Sequence, residues 1–191
     1  MGDLVSLEDR RRLRTECAPA RVRCYVDLAC PFSYLTAERV ERAFDRVSWR
    51  LASTASVERR GPLTGDALAR ARRVAEARAS QLRLPLVWPD RYPASAPAAM
   101  RVANRAVELG RGGAFVLAAG RMAFGGGFDL DDPETLAEAA AAAGLDLEDS
   151  LEAARDVRRD EVIDAAGRRL LAVGADRLPA LRSGRSLFWG E

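Results

Sequence analysis

At 191 residues the chain is long enough to bury a core, and this length favours one domain or one domain with a sizeable insertion. Its 30 basic residues, all of them arginine, and its 28 acidic residues leave a net charge of +2, which does not indicate a surface that follows phosphates. The sequence contains no histidine, which excludes a Ser-His-Asp triad, a Cys-His nucleophile pair and a metal site ligated by histidine.

Residues 1–19 are predicted to form an arm on the surface. Their dense charges suit a short helix from Ser6 to Glu16, which Pro19 ends. The same charges interrupt any apolar run, so no secretory signal peptide is predicted. Nowhere does an apolar stretch approach the roughly 20 residues that span a bilayer. We therefore expect a cytoplasmic protein with no membrane partner and no nucleic-acid partner.

A strand, a helix and a second strand are predicted next. Apolar residues alternate from Val22 to Leu28, which is the period of a strand with one buried face. Pro31 fits the first position of a helix, where its missing amide proton costs nothing. Alternation returns from Val47 to Leu51. This part of the chain is therefore predicted to be a βαβ unit.

Beyond the βαβ unit the pattern is helical until the last residues. Helices are predicted over Asp66 to Leu82, Ala98 to Leu109, Pro133 to Ala143 and Leu147 to Leu171. Two short strands, Pro179 to Leu181 and Leu187 to Trp189, are predicted to form a final hairpin. We interpret residues 20–57 and 172–191 as one discontinuous sheet domain, interrupted by a helical insertion at residues 58–171.

Redox chemistry is indicated at one residue, Cys30, which lies between the first predicted strand and the first predicted helix. A strand, a C-x-x-C or C-x-x-S motif and a helix are typical of thioredoxin-type sites. The amides and dipole at a helix start favour the thiolate, so we expect the pKa of Cys30 to lie below that of a free cysteine. The last motif position is Ser33, whose hydroxyl either bonds the backbone of the first turn or positions the thiolate.

The other two cysteines are not expected to form a site. Cys24 precedes Cys30 by a distance of roughly 20 Å along an extended chain, so these two thiols cannot bridge, and Cys24 is predicted to be a core residue. Cys17 is either an unpaired thiol or a resolving partner for Cys30. The cysteine spacing matches no zinc pattern, and no metal site is expected.

Two segments resemble a known family. The segment DLACPFSYL at Asp27 to Leu35 resembles the D-x-x-S/C-P-Y/F-S-Y-L segment of the 2-hydroxychromene-2-carboxylate isomerases, which belong to the DsbA-like group together with the kappa-class glutathione transferases. The tail from Gly174 to Gly190 is similar to that group's G-x-x-x-x-P followed by L-F-W-G. The resemblance extends from Val22 to Glu191. It implies an α/β fold, a thioredoxin-like βαβ…ββ sheet with an inserted all-helical domain.

The resemblance also implies roles for individual residues. Cys30 and Ser33 would be catalytic, and Pro179 would be a cis-proline that faces Cys30. Substrate or thiol would bind at residues near Cys30 and in the helical insertion, namely Pro31, Phe32, Leu178, Pro179, Trp88, Tyr92 and Phe124. The three aromatic residues of this set would form the wall of a pocket.

Three functions follow from these observations as alternatives. The first is a DsbA-like thiol-disulfide oxidoreductase that acts through the single cysteine of a C-x-x-S motif. The second is a thiol-dependent isomerase or transferase, and the third is a catalytically silent binding domain. No tightly bound cofactor is expected, and the partners would be glutathione or another low-molecular-weight thiol, or a protein disulfide. The family's terminal helix has no counterpart after Trp189, so Val22 and Val26 are expected to lie open unless residues 6–16 or a second subunit of a homodimer covers them.

Overall fold

A four-stranded mixed sheet forms the centre of the protein in the computed structural model, which describes residues 22–57 and 63–190. Its strands are β1 (Val22–Val26), β2 (Val47–Leu51), β3 (Ala180–Ser183) and β4 (Ser186–Trp189). The order across the sheet is β2-β1-β3-β4, with β1 parallel to β2 and antiparallel to β3. The predicted βαβ unit and the final hairpin are confirmed. The predicted helix at 6–16 and Cys17 lie outside the described residues.

Eight α-helices are present in the described parts of the chain. They are α1 (Pro31–Ala43), α2 (Thr54–Val57), α3 (Gly65–Leu82), α4 (Pro97–Glu108), α5 (Gly112–Gly120), α6 (Pro133–Ala142), α7 (Leu147–Arg155) and α8 (Arg158–Ala172). A π-helical turn, Arg121–Gly125, continues α5. The predicted start signals hold: Pro31 is the first residue of α1, and the Asp132 side chain caps α6 by accepting from the Thr135 N–H at 3.1 Å. No described helix has both the length and the apolar character that a membrane crossing needs.

Strand β1 separates two apolar layers. Side chains alternate between the two faces of β1, so Cys24 and Val26 point to the same face. There they are buried in the larger apolar cluster, together with residues of α1 and α5 such as Leu35 and Phe115. On the opposite face, Tyr25 packs beside a smaller cluster that includes Leu170 of α8. The larger cluster is continuous between the sheet and the helices of the insertion.

The expectation that Val22 and Val26 would lie open is wrong. Val22 is 1% exposed and Val26 is fully buried. Val26 belongs to the same buried cluster as side chains of α1 and α5, so the helices after β1 cover this face of the sheet. Val26 is therefore covered by described helices, whereas the predicted cover by residues 6–16 lies outside the described residues.

Candidate active site

Cys30 lies in the tight turn that joins β1 to α1. It is the N-cap residue of α1, with extended backbone angles, and its carbonyl oxygen accepts the N–H of Ser33 at 3.0 Å and of Tyr34 at 3.3 Å. The Cys30 N–H donates to the carbonyl oxygen of Asp27 at 3.1 Å. These bonds fix the backbone of Cys30 at the point where extended structure becomes helical.

A distant segment closes over the sulfur. Sγ of Cys30 lies 3.8 Å from the carbonyl oxygen of Leu178, and the Leu178–Pro179 peptide bond is cis, as the resemblance implied. Both Leu178 and Pro179 are buried. The fold thus brings Cys30, Leu178 and Pro179 together although the segments are far apart in sequence. A backbone carbonyl beside the thiol can accept the S–H hydrogen bond.

Burial reverses the expected acidity of this thiol. Burial, as the largest cause, and the Asp27 carboxylate, as a smaller one, raise the pKa of Cys30 to about 11. Hydrogen bonds from the amides of Ser33 and Phe32 and from the Ser33 side chain lower this pKa without compensating for the burial. The expectation of a pKa below that of a free cysteine is therefore wrong, because the loss of hydration outweighs the helix start. Cys30 is mainly a thiol, not a thiolate, at neutral pH.

The Ser33 hydroxyl lies between the backbone and the thiol. Ser33 is 2% exposed, and its Oγ accepts the N–H of Asp27 at 3.2 Å. The same side chain lowers the pKa of Cys30, so it stabilises the thiolate when one forms. Ser33 thus combines the backbone bond with a contact to Cys30, the two roles that the sequence left as alternatives.

Asp27 is the residue whose part in the site was missed from the sequence. Its carboxylate is buried and accepts the N–H of Ala29 at 2.9 Å and the N–H of Thr54 at 2.7 Å. One carboxylate therefore ties the Cys30 turn to the loop after β2. The sequence does contain a signal for this: an aspartate at the end of a buried strand, three residues before the cysteine, has to find donors when it is buried.

The three predicted wall aromatics do meet, but they do not enclose a large pocket. Ring centroids lie 4.6 Å apart for Trp88 and Tyr92, and 6.1 Å apart for Tyr92 and Phe124. Tyr92 and Phe124 line a cleft with Ala29, next to Cys30, whereas Trp88 is outside its lining. The cleft encloses about 30 Å³, far below the roughly 300–1,000 Å³ of typical small-molecule sites. Neither Cys30 nor Pro179 lines it.

The π-helical turn that carries Phe124 is anchored to α1 by an ion pair. Glu38 is buried and binds the Arg121 guanidinium, with one contact at 3.1 Å, and it also binds Arg42 at 3.2 Å. Arg121 lowers the pKa of Glu38. Glu38 and Arg42 are four residues apart, and this spacing predicts an ion pair on the outer face of the helix. Their pairing is confirmed, but the face is covered, because α5 and the π-helical turn pack against α1.

Cys24 cannot resolve a disulfide on Cys30 in this fold. It is fully buried on β1, as predicted, and burial raises its pKa to about 12. Within residues 22–57 and 63–190, no group of three or more cysteine or acidic side chains could hold a metal ion. Cys30 as a residue is partly exposed, but its sulfur is covered by the Leu178 carbonyl.

Comparison with known proteins places this geometry in context. The model of the DSBA-like thioredoxin domain family matches residues 21–191. A 2-hydroxychromene-2-carboxylate isomerase has a similar structure, with 19% identity, a TM-score of 0.74 and coverage of 88% of each chain. A probable DsbA oxidoreductase from Streptomyces coelicolor has 24% identity and a TM-score of 0.71, over 89% of this chain and 83% of that one.

A third similar structure is the cytosolic disulfide reductase DsbM from Pseudomonas aeruginosa, solved with GSH. It has 19% identity and a TM-score of 0.63, over 90% of this chain and 89% of that one. Among curated proteins, no sequence matches. At these identities the structural likenesses establish the fold, which supports both oxidoreductases and an isomerase, and the reaction has to be argued from the residues around Cys30.

Proposed function

Since the chain belongs to the DSBA-like thioredoxin domain family, we propose that it is a thiol-disulfide oxidoreductase that works through the single thiol of Cys30. The observation that carries the proposal is the position of this thiol. Cys30 caps a helix, its sulfur faces the Leu178 carbonyl beside a cis-proline, and Ser33 takes the place of a second cysteine. The proteins with similar folds are enzymes. The contacts of Cys30 with the start of α1 and with the Leu178 carbonyl also favour an enzyme over a catalytically silent binding domain.

The reaction proceeds by two exchanges. The Cys30 thiol first loses its proton to solvent, and the thiolate attacks one sulfur of a substrate disulfide. The substrate S–S bond breaks, a Cys30–substrate S–S bond forms, and the other substrate sulfur leaves as a thiolate that takes up a proton. A low-molecular-weight thiol such as glutathione, again as its thiolate, then attacks the mixed disulfide and releases Cys30. One external thiol is thereby oxidised to a disulfide for each sulfur that is reduced.

The residues around Cys30 act on its proton and on the position of its sulfur. In the resting thiol, the Leu178 carbonyl is the nearest acceptor for the S–H proton. When the proton leaves, the amides of Ser33 and Phe32 and the Ser33 side chain stabilise the negative sulfur. Because burial keeps the thiol protonated, a substrate that opens the contact with Leu178 would also activate it. The proposed cytoplasmic location would keep Cys30 reduced between turnovers.

A mixed-disulfide experiment tests this proposal. The reduced protein, in a Cys17→Ser background that leaves Cys24 and Cys30 as its thiols, is incubated with glutathione disulfide at pH 8, quenched with acid and mapped by peptide mass spectrometry. We expect one glutathionyl group, on the peptide that contains Cys30. Cys24→Ser is the matched control and should be modified to the same extent, whereas Cys30→Ser should remain unmodified. Modification confined to another cysteine, or none in the folded protein, would contradict the proposal.

The cleft beside Ala29 favours a thiol-dependent isomerase or transferase as a second candidate. Tyr92 and Phe124 line this cleft together with Ala29, the residue that precedes Cys30. Its volume of about 30 Å³ means that an aromatic substrate would have to open it. The variant Cys30→Ser distinguishes the candidates, since a serine can still steady an external thiolate. Retained isomerisation of an aromatic substrate in the presence of glutathione, with exchange abolished, would favour this second function.

A further inference from the structure

The outer edge of the sheet at β2 has free backbone groups. Among residues 22–57 and 63–190, β2 is at the end of the sheet order and pairs only with β1. The Ala52 N–H donates to the Val26 carbonyl oxygen at 3.0 Å, so Ala52 faces β1. Backbone groups alternate in direction along a strand, so Val47 and Trp49 direct their N–H and carbonyl groups away from the sheet. Such a row of unpaired groups is a template for another strand.

A groove runs along this edge. It encloses about 400 Å³ between β2 and the connection of α4 to α5. Glycines form the far wall, among them Gly113, where an added Cβ would lie 2.7 Å from Nε1 of Trp49. The missing side chain lets α5 approach β2 closely while the groove beside the strand remains open. An extended chain, which needs little width, fits such a space.

The lining of the groove contains two arginines and no acidic residue, while the Glu41 carboxylate at its wall accepts the Nε1–H of Trp49 at 3.0 Å. Arg46 and Arg50 line it and are exposed, and neither has a carboxylate within ion-pair distance in the described structure. Arg50 donates to the carbonyl oxygen of Trp49, at 2.9 Å, which is one of the groups at the free edge.

We propose that the free edge of β2 binds an extended acidic peptide, which adds to the sheet as a fifth strand. Backbone hydrogen bonds to Val47 and to the N–H of Trp49 would supply the affinity. The peptide would displace the Arg50 guanidinium from the Trp49 carbonyl oxygen, and Arg50 with Arg46 would then select acidic side chains. This activity does not depend on the redox function of Cys30. It would give the protein a means to hold a partner while Cys30 remains free.

The test uses a fluorescein-labelled peptide of alternating glutamate and valine, about eight residues long. Fluorescence anisotropy should show binding that weakens as salt is added. The double variant Arg46→Glu with Arg50→Glu should weaken binding about tenfold or more, since like charges at an interface are strongly unfavourable. The double variant Arg155→Glu with Arg169→Glu, at two exposed arginines of α7 and α8, is the charge-matched control and should bind as the parent protein does. A peptide with lysine in place of glutamate should not bind.

Two further measurements separate strand addition from simple charge attraction. Methylation of alternate backbone nitrogens of the peptide removes its donors and should abolish binding. Amide hydrogen exchange should slow at Trp49 when the peptide binds, whereas Arg50, whose backbone faces β1, should change little. Equal binding by the methylated peptide would overturn the proposal. So would a Trp49 amide that is already protected in the isolated protein, since another segment or a second copy would then occupy the edge. Cys30→Ser should bind like the parent protein, which keeps this test independent of the redox proposal.

Discussion

Replacement of Asp27 by asparagine tests how the buried carboxylate acts on the site. Asp27 accepts two backbone N–H bonds, from Ala29 and from Thr54, through different oxygens. An asparagine side chain has one acceptor oxygen, so one of the two N–H groups would face an NH₂ group. Leaving a buried donor without an acceptor costs about 1–3 kcal/mol. We expect the free energy of unfolding of Asp27→Asn to fall by about that amount.

The same substitution should increase the reactivity of Cys30 while the protein is folded. The Asp27 carboxylate raises the pKa of Cys30, so its removal lowers this pKa. With a pKa of about 11, roughly one Cys30 in ten thousand is a thiolate at pH 7, and below the pKa each unit of decrease raises this fraction about tenfold. The measurement is the rate of Cys30 alkylation by iodoacetamide as a function of pH. At each pH, Cys30 should be alkylated faster in Asp27→Asn than in the parent protein.

The control for both effects is Asp45→Asn, since Asp45 is an exposed acid in the loop between α1 and β2. It should change neither the unfolding free energy nor the alkylation rate. Circular dichroism at the assay temperature shows whether each variant is folded. A folded Asp27→Asn protein that is alkylated no faster than the parent at equal pH would refute the argument that this carboxylate suppresses the Cys30 thiolate.

Two further variants test neighbouring residues. Ser33→Ala should slow Cys30 alkylation, because the Ser33 side chain lowers the pKa of Cys30. It should also lower the free energy of unfolding by about 1 kcal/mol, because the Asp27 N–H loses its acceptor. An alkylation rate and an unfolding free energy from chemical denaturation that both equal those of the parent protein would contradict this. Glu38→Gln should lose stability at neutral pH but less at acid pH. The pKa of Glu38 is lowered in the folded protein, so its contribution is present above its ordinary pKa and is lost as pH falls through the lowered value; thermal melts from neutral to acid pH measure the difference.

Local rules were enough to predict the secondary structure around Cys30. Alternation gave β1, and Pro31 gave the start of α1, because both depend on a few adjacent residues. The thiol pKa could not be obtained in this way. The Leu178 carbonyl that lies over the sulfur is 148 residues away in sequence, so the burial of Cys30 is a property of the tertiary structure.

Glu38 illustrates the same limit. Its spacing from Arg42 predicts an ion pair on a helix, but its burial depends on Arg121, which is 83 residues away. The aromatic residues in the insertion were expected to wall a pocket, and the tight packing of Trp88, Tyr92 and Phe124 leaves only a narrow cleft. Residue types indicated which side chains meet, whereas the space between them is set by how the helices pack.

Steady-state exchange is the measurement that tests the central claim most directly. The rate at which the protein catalyses reduction of a low-molecular-weight disulfide by glutathione is compared for the parent protein, Cys24→Ser and Cys30→Ser. Catalysis through the single thiol of Cys30 predicts turnover in the parent and in Cys24→Ser, increasing with pH as the thiolate forms, and no turnover above background in Cys30→Ser. Turnover that persists without Cys30, or a folded parent protein with none, would contradict it.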